Sequence, residues 1–330
     1  MAEKRTDNFR VLILDDYEGL AAKVPSFEKL RTRTDITVMQ KRLGTEDELR
    51  GALKDVHAVV LVRERTRFGE KEFSLAPSLK LISQIGQSFA HLDLAAATRR
   101  GIVVTGTPND SGVSTIELTL ALILAVTRRI PEVDRGMHQG GWPGIPGRLL
   151  EGKTIGIVGL GRIGREVARI SLAFKTRVLA SGKTLTEERA RQAGVSRVSL
   201  EELLRESDVV TIHTRLNQET RGLIGEKELS LMKPGAVLIN TSRGAVVLEA
   251  ALIHALETGH LGGAGLDVYD QEPLLADHPL RRFDNVVLLS HRGYATVEIL
   301  CERYEYAMSN ILSFLDGKPT NLLNPDVQGR

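Results

Sequence analysis

Cysteine is nearly missing from this chain of 330 residues: Cys301 stands alone. No disulfide can form within the chain, and a reducing compartment fits. Net charge is nearly missing too. Lysine and arginine number 44 against 42 aspartates and glutamates, a formal +2, which offers no general attraction to nucleic acid or an anionic membrane. No apolar run reaches membrane-spanning length, and the opening M-A-E-K-R-T-D-N has no apolar segment of the kind a secretory signal needs. The expectation is a cytoplasmic protein with neither nucleic-acid nor membrane partners. What is present is ordinary globular composition, 42% hydrophobic and 26% charged, in a chain long enough for two domains with separate cores.

One stretch organises the rest: T-I-G-I-V-G-L-G-R-I-G, from Thr154 to Gly164. Ile155, Ile157 and Val158 form a buried strand. Gly159 turns the chain, Gly161 lets backbone approach a pyrophosphate, and Gly164 packs the next helix tightly on the strand. Arg162 and Ile163 open that helix, where amides would face phosphate groups. The spacing predicts a helix over 162–173 with Ile163, Val167, Ile170 and Leu172 inside.

The first hundred residues alternate strands and helices without such a fingerprint. Strands are expected over 10–14, 36–38, 58–62, 79–83 and 102–104, with helices over 20–30, 46–53 and 92–100, so a parallel sheet follows. Asp15 and Asp16 end the first strand and read as a solvated strand end rather than a metal site, because no further ligand of suitable spacing accompanies them. Arg63, Arg65 and Arg67 follow another strand end, a position where an anionic substrate would be drawn in; the interleaved Glu64 equally suits a solvated loop. A long apolar helix is expected over 114–130, opened by a Ser114–Glu117 capping box and buried on more than one side. The glycine- and proline-rich 136–147 reads as a crossing loop anchored by Trp142.

Beyond the fingerprint, strands over 177–180, 209–213, 236–240, 265–268 and 286–290 complete a doubly wound sheet of about six strands. A helix over 296–315 and a loosely held tail, 321–330, close the chain. Three strand ends carry candidate chemistry. N-T-S-R-G at Asn240 to Gly244 puts Arg243 just past a buried strand, where a guanidinium offers a carboxylate two parallel donors. G-L-D-V-Y-D-Q-E-P at Gly265 to Pro273 supplies Asp267 and Glu272, and S-H-R-G at Ser290 to Gly293 supplies His291. Together they make a substrate anchor, a proton donor or acceptor, and a carboxylate to orient it.

These ordered motifs, with G-L-G-R-I-G before them, resemble the signatures of the D-isomer-specific 2-hydroxyacid dehydrogenases. P-S-L-K-L-I at Pro77 to Ile82 and H-L-D-L-A-A-A at His91 to Ala97 extend the likeness through nearly the whole chain. The resemblance implies an α/β protein with a doubly wound Rossmann domain at 112–296, holding the dinucleotide. A smaller flavodoxin-like substrate domain would combine 1–111 and 297–330. It implies a nicotinamide-dependent oxidoreductase of small 2-oxo and 2-hydroxy acids, without a metal. Arg243 would bind the substrate carboxylate and keto oxygen, His291 would be the acid-base, and Glu272 would pair with it. Asp267 and Gly293 would lie by the nicotinamide, with Thr241 and Ser242 lining the cofactor cleft. The helix from Ser114 resembles the family's dimer element, so a homodimer is expected. The chain is expected to lack the added regulatory domain of long phosphoglycerate dehydrogenases.

Two departures from the family pattern refine this. An NAD enzyme is expected to carry Asp or Glu about 20 residues past the fingerprint, whereas Ser181-Gly182-Lys183-Thr184 stands here. With no carboxylate to repel a 2′-phosphate and three side chains able to bond it, NADP(H) is favoured, with NAD(H) possible. The carboxylate loop reads Gly86-Gln87-Ser88-Phe89-Ala90 in place of G-x-G-x-D, leaving Gly86, Gln87 and Arg63 as the substrate contacts and the acid itself open. The competing class is a dinucleotide-sensing corepressor of the same fold, which keeps the same Arg, Glu and His.

Overall fold

Short apolar runs rich in Val, Ile and Leu become strands with both faces covered: Ala58–Val62 and Thr154–Val158 are buried at every position. The computed structural model describes residues 8–86, 91–108 and 112–329, so Gln87 to Ala90 lie outside the described residues. The chain divides into two units, Met1–Ser111 with Ala295–Arg330, and Gly112–Tyr294. No helix among the described residues is long and apolar enough to cross a membrane.

In the first unit, β1 (Arg10–Ile13), β2 (Asp35–Val38), β3 (Ala58–Val62), β4 (Leu81–Ile85) and β5 (Val103–Gly106) form a parallel sheet in the order β2-β1-β3-β4-β5. This is the flavodoxin-like order. The strand and helix near residue 80 and residue 20 lie later than expected: β4 starts at Leu81, and Pro25 opens the helix Pro25–Arg33 because proline suits a first helical turn.

The helix Val297–Leu315 belongs to this unit. Ser83 Oγ donates to the Ala307 carbonyl at 3.0 Å, and Asn310 Nδ2 to the Gly106 carbonyl at 3.0 Å. The tail beyond it is tied down rather than loose. Gly106 N–H donates to the Asn321 carbonyl, Leu323 N–H to the Val104 carbonyl, and buried Asn324 bonds Thr98, Ile102 and Val104.

Asp15 and Asp16 are not solvated; each is 1% exposed. Asp16 accepts from the amides of Leu20 and Ala21 and from the Tyr304 hydroxyl at 2.9 Å. Asp15 accepts from the hydroxyls of Tyr17 and Thr66. Buried carboxylates persist because every one of these donors is in place.

In the second unit, β6 (Thr154–Val158), β7 (Arg177–Ser181), β8 (Ser196–Arg197), β9 (Val209–Ile212), β10 (Ala236–Asn240), β11 (Leu261–Leu266) and β12 (Val286–Leu288) run parallel. Their order is β12-β11-β10-β9-β6-β7-β8. The two-residue β8 was not expected; too short to show a pattern, it is visible only as a partner of β7. Strand order reverses between β6 and β9, so their carboxyl ends border the crevice where doubly wound sheets bind ligands.

The helix Val113–Thr127 packs on β10, β11 and the helix Arg162–Ala173. Its N-cap is Gly112 at φ +75°, and no side chain caps it, so the Ser114–Glu117 box does not form. Ser114 lies two positions past the N-cap, inside the helix, and is buried there. The helix stops before Arg129, which adopts φ +54°, and a second helix runs over Ile130–His138. Trp142 is no anchor within the chain: it is 88% exposed.

Candidate active site

The strand-to-helix turn after β6 assigns each fingerprint glycine a separate task. Gly159 has φ +99°, and a Cβ there would come within 2.9 Å of the His213 carbonyl carbon and the Thr214 nitrogen. A Cβ at Gly164 would come within 2.2 Å of the Gly159 carbonyl oxygen, so this glycine sets how closely the helix Arg162–Ala173 approaches the turn. A Cβ at Gly161 would meet no protein atom within 4 Å. Space is thus kept open at Gly161, and no side chain caps the helix that begins there. Uncapped amides beside an open cradle suit a pyrophosphate, so the residues present fit a dinucleotide. Ile163 is half-buried and Arg162 exposed. The innermost line of the helix is Gly164, Val167, Ala168 and Ser171, while Ile163, Ile170 and Leu172 pack at its rim. Small residues, which periodicity of large apolar ones does not register, allow that close approach.

Ser181 ends β7, and its carbonyl accepts from Gly159 N–H at 2.8 Å, holding the two loops together. Gly182 follows; a Cβ there would make only ordinary contacts, 3.7 Å to Leu185 Cβ and 3.8 Å to Gly159 Cα. Lys183 is exposed and paired with Glu219, Nζ to Oε1 at 2.5 Å. Thr184 is exposed, and its carbonyl accepts from Arg189 Nη1 at 2.9 Å.

Past β10, the Asn240 side chain organises the turn. Its Oδ1 accepts from Ser242 N–H and Oγ, and its Nδ2 donates to the Arg243 carbonyl at 3.0 Å. Thr241 is buried against Thr119, their hydroxyls 2.9 Å apart. Gly244 allows the turn to press on the loop after β11, since a Cβ there would lie 2.0 Å from the Tyr269 carbonyl carbon. That contact brings the Arg243 turn beside the loop bearing Glu272, and the Arg243 charge acts on Glu272.

His291 and Glu272 meet directly, Nδ1 to Oε2 at 2.7 Å, with side chains 27% and 35% exposed. The other Glu272 oxygen accepts from Tyr269 N–H at 3.0 Å. Burial would raise the Glu272 pKa. The His291 hydrogen bond and charge, the Tyr269 amide and the Arg243 charge outweigh it and hold the carboxyl below its ordinary value. His291 sits at φ +57°, a conformation that costs free energy and persists where surrounding contacts impose it. The turn that follows is held by Asp267, buried just past β11, which accepts from Arg292 N–H and Gly293 N–H. Burial pushes the Asp267 pKa up. Thr115 Oγ1 then donates to the Gly293 carbonyl at 2.9 Å. The second strand-end histidine, His213, has no carboxylate partner among the described residues; burial lowers its pKa to about 4, and its ring contacts Thr211 Oγ1 at 3.0 Å. It is neutral at ordinary pH and unsuited to proton delivery.

Asn240, Tyr269 and Thr115 are the supporting residues that motif reading missed. Nothing in their spacing marks them, because each acts through a backbone group exposed only by the turns.

In the first unit, Arg63 follows β3 at φ +56°, with its Nε 3.5 Å from Glu64. Gly86 ends β4 at φ +104°, and a Cβ there would lie 3.0 Å from Arg63 Nη1. Gly86 N–H is already given to Thr107 Oγ1 at 2.8 Å. Gln87 lies outside the described residues. Arg65 is drawn off to Glu18 through two hydrogen bonds, at 3.0 and 2.7 Å.

Residues 120–293 match the family described as D-isomer specific 2-hydroxyacid dehydrogenase, NAD binding domain. The chain belongs to that family. It is an oxidoreductase of the 2-hydroxyacid dehydrogenase type with a nicotinamide cofactor. The dehydrogenase is 44% identical to a glyoxylate reductase of Aeropyrum pernix, over 77% of this chain and 79% of that one. It is 37% identical to a D-3-phosphoglycerate dehydrogenase of Bacillus subtilis, over 94% of this chain and 58% of that longer protein. Among solved structures, a phosphoglycerate oxidoreductase from Vibrio cholerae superimposes with a TM-score of 0.87 at 33% identity, covering 94% of this chain and 99% of the other.

Proposed function

We propose that this dehydrogenase interconverts a small 2-oxo acid and the corresponding D-2-hydroxy acid, with NADP(H) as its preferred cofactor and His291 as its acid-base. The observation that carries the reading is the 2.7 Å contact between His291 Nδ1 and Glu272 Oε2. With Nδ1 engaged by a carboxylate, Nε2 is the nitrogen left to exchange a proton with the substrate oxygen. In reduction, the imidazolium gives its Nε2 proton to the oxygen forming at C2. In oxidation, the neutral ring takes the hydroxyl proton at the same nitrogen. Glu272, held ionised, engages Nδ1 and orients the ring in both directions.

Arg243 binds the substrate carboxylate and polarises the keto oxygen, as a planar guanidinium can do with two parallel donors. Arg63 and Gln87 are the proposed contacts from the first unit, read as the substrate domain. The second unit is read as the dinucleotide domain. Gly159, Gly161, Arg162, Ile163 and Gly164 form its pyrophosphate cradle, and Thr241, Ser242, Asp267 and Gly293 border the nicotinamide end. When bound, the nicotinamide exchanges hydride with C2. The missing acid at Gly182, with Ser181 and Thr184 beside it, supports the NADP(H) preference.

A homodimer is part of the same proposal. Ile130, Met137, Trp142 and Leu149, between 45% and 88% exposed within one short stretch, are the kind of apolar surface a second copy would cover. The deciding experiment measures kcat/KM for glyoxylate, hydroxypyruvate, pyruvate and bulkier 2-oxo acids with NADPH and NADH. His291→Ala should abolish turnover and leave dinucleotide binding intact. Tight dinucleotide binding without turnover of any acid would overturn the reading in favour of a sensing protein.

A further inference from the structure

Two cationic side chains stand near the position of the missing acid, and the structure treats them differently. Lys183 is the neighbour in sequence. Its ammonium is taken up by Glu219 at 2.5 Å, and both side chains are largely exposed. To meet a phosphate it must leave that carboxylate and lose the freedom of a long flexible stem. Arg189 lies a turn further on, in the helix Glu187–Gln192. Its Nη1 donates to the Thr184 carbonyl at 2.9 Å and its Nη2 to the Leu160 carbonyl at 3.1 Å.

Leu160 stands between Gly159 and Gly161 in the pyrophosphate cradle, and Thr184 lies in the loop after β7. The guanidinium therefore bridges the two loops that flank Gly182. Both acceptors are neutral carbonyls, so its full charge remains, and a guanidinium has five donors of which these bonds use two. Nearby carboxylates are engaged elsewhere: Glu187 pairs with Arg197 at 3.0 Å, and Glu188 accepts from Gln192 at 3.2 Å. The residue as a whole is exposed to solvent.

We propose that Arg189, rather than Lys183, is the cation that recognises the 2′-phosphate of the dinucleotide. This rests on the NADP(H) reading above. Fixed in place by two backbone carbonyls, the fork is oriented before the ligand arrives, so little side-chain entropy is lost on binding.

The test is calorimetric binding of 2′,5′-ADP and 5′-AMP to the full chain, which needs no turnover. The wild type should bind 2′,5′-ADP more tightly than 5′-AMP. Arg189→Gln should weaken 2′,5′-ADP by about tenfold or more, the loss of a charge-assisted contact, and leave 5′-AMP within about twofold. Arg189→Lys, which keeps the charge without the fork, should fall between, and Lys183→Gln should change either ligand by less than about threefold. If Arg189→Gln weakens both ligands equally, the residue is only a clamp between loops and the inference fails. If Lys183→Gln alone removes the discrimination, the inference fails while the NADP(H) reading stands. If the wild type binds both ligands equally, both are overturned.

Discussion

Asp267 accepts hydrogen bonds from two successive amides of the turn that carries His291, from Arg292 N–H at 2.6 Å and Gly293 N–H at 2.8 Å. One strand end thus holds the backbone of the next, directly after His291 at φ +57°. Asp267→Ala removes the acceptor of the buried Gly293 amide and of the part-buried Arg292 amide, and a buried group left unsatisfied costs about 1–3 kcal/mol. The expected outcome is a lower midpoint in urea unfolding together with a lower kcat. Asp267→Asn, which keeps one acceptor oxygen, should lose less of both. Unchanged kcat in Asp267→Ala would show that His291 holds its place without the clasp.

Glu272 carries a pH dependence of definite sign. Its folded-state pKa lies below the ordinary 4.5, so the unfolded chain binds its proton first as pH falls. The stability it contributes is fully present above pH 4.5 and is lost as pH drops through the folded value. Melting temperature measured from about pH 6 to about pH 3 should therefore fall more steeply for the wild type than for Glu272→Gln. Parallel curves would mean that the carboxylate is not held ionised by His291, Tyr269 and Arg243.

Much of this site is legible in the amino-acid sequence because its parts follow buried parallel strands. Arg243, Asp267 and His291 all stand just beyond such ends, and an apolar run marks an end clearly. What stayed hidden is tertiary. Asp15 and Asp16 read as solvated because their donors include Tyr304, nearly three hundred residues away in sequence and on a helix that returns to the first unit. Trp142 read as an anchor because tryptophan usually finds a core, yet here it stands in water within one chain. The bond from Gly86 N–H to Thr107, on the neighbouring strand's continuation, is likewise invisible in the local sequence.

Tyr304 makes the return of the terminal helix energetically specific. Its hydroxyl reaches Asp16 at 2.9 Å, and burial together with that carboxylate pushes its own pKa far up. It is a neutral donor at any working pH. Tyr304→Phe should leave the Asp16 carboxylate one donor short and destabilise the fold by about 1–3 kcal/mol, read as a shift in the urea midpoint. An unchanged midpoint would indicate that the amides of Leu20 and Ala21 suffice.

The fingerprint glycines separate folding from binding. Gly164→Ala places a methyl 2.2 Å from the Gly159 carbonyl oxygen, a clash that backbone cannot escape cheaply. It should lower stability by about 1–3 kcal/mol and weaken dinucleotide binding with it. Gly161→Ala meets no protein atom within 4 Å, so its melting temperature should match the wild type. Its dinucleotide affinity should fall by about tenfold or more, because the methyl occupies the approach to the pyrophosphate. Normal binding by Gly161→Ala would mean that the cradle is not used as proposed.

Gly182 offers the most direct control over which dinucleotide is used. Its position has room for a side chain, since the nearest atoms to an added Cβ are 3.7 and 3.8 Å away, so Gly182→Asp should fold without a clash. The new carboxylate would stand at the end of β7, where it can accept from both ribose hydroxyls of NAD and would repel a 2′-phosphate. The ratio of kcat/KM for NADPH over NADH should fall by about tenfold or more, since each tenfold corresponds to roughly 1.4 kcal/mol and like charges at close range cost at least that where solvent is partly excluded. The fall should come chiefly through a higher KM for NADPH, as removal of binding energy shared by ground and transition states acts on KM. If Gly182→Asp left the ratio unchanged, the 2′ position would have to lie away from the end of β7, and the absence of an acid there would say nothing about cofactor choice.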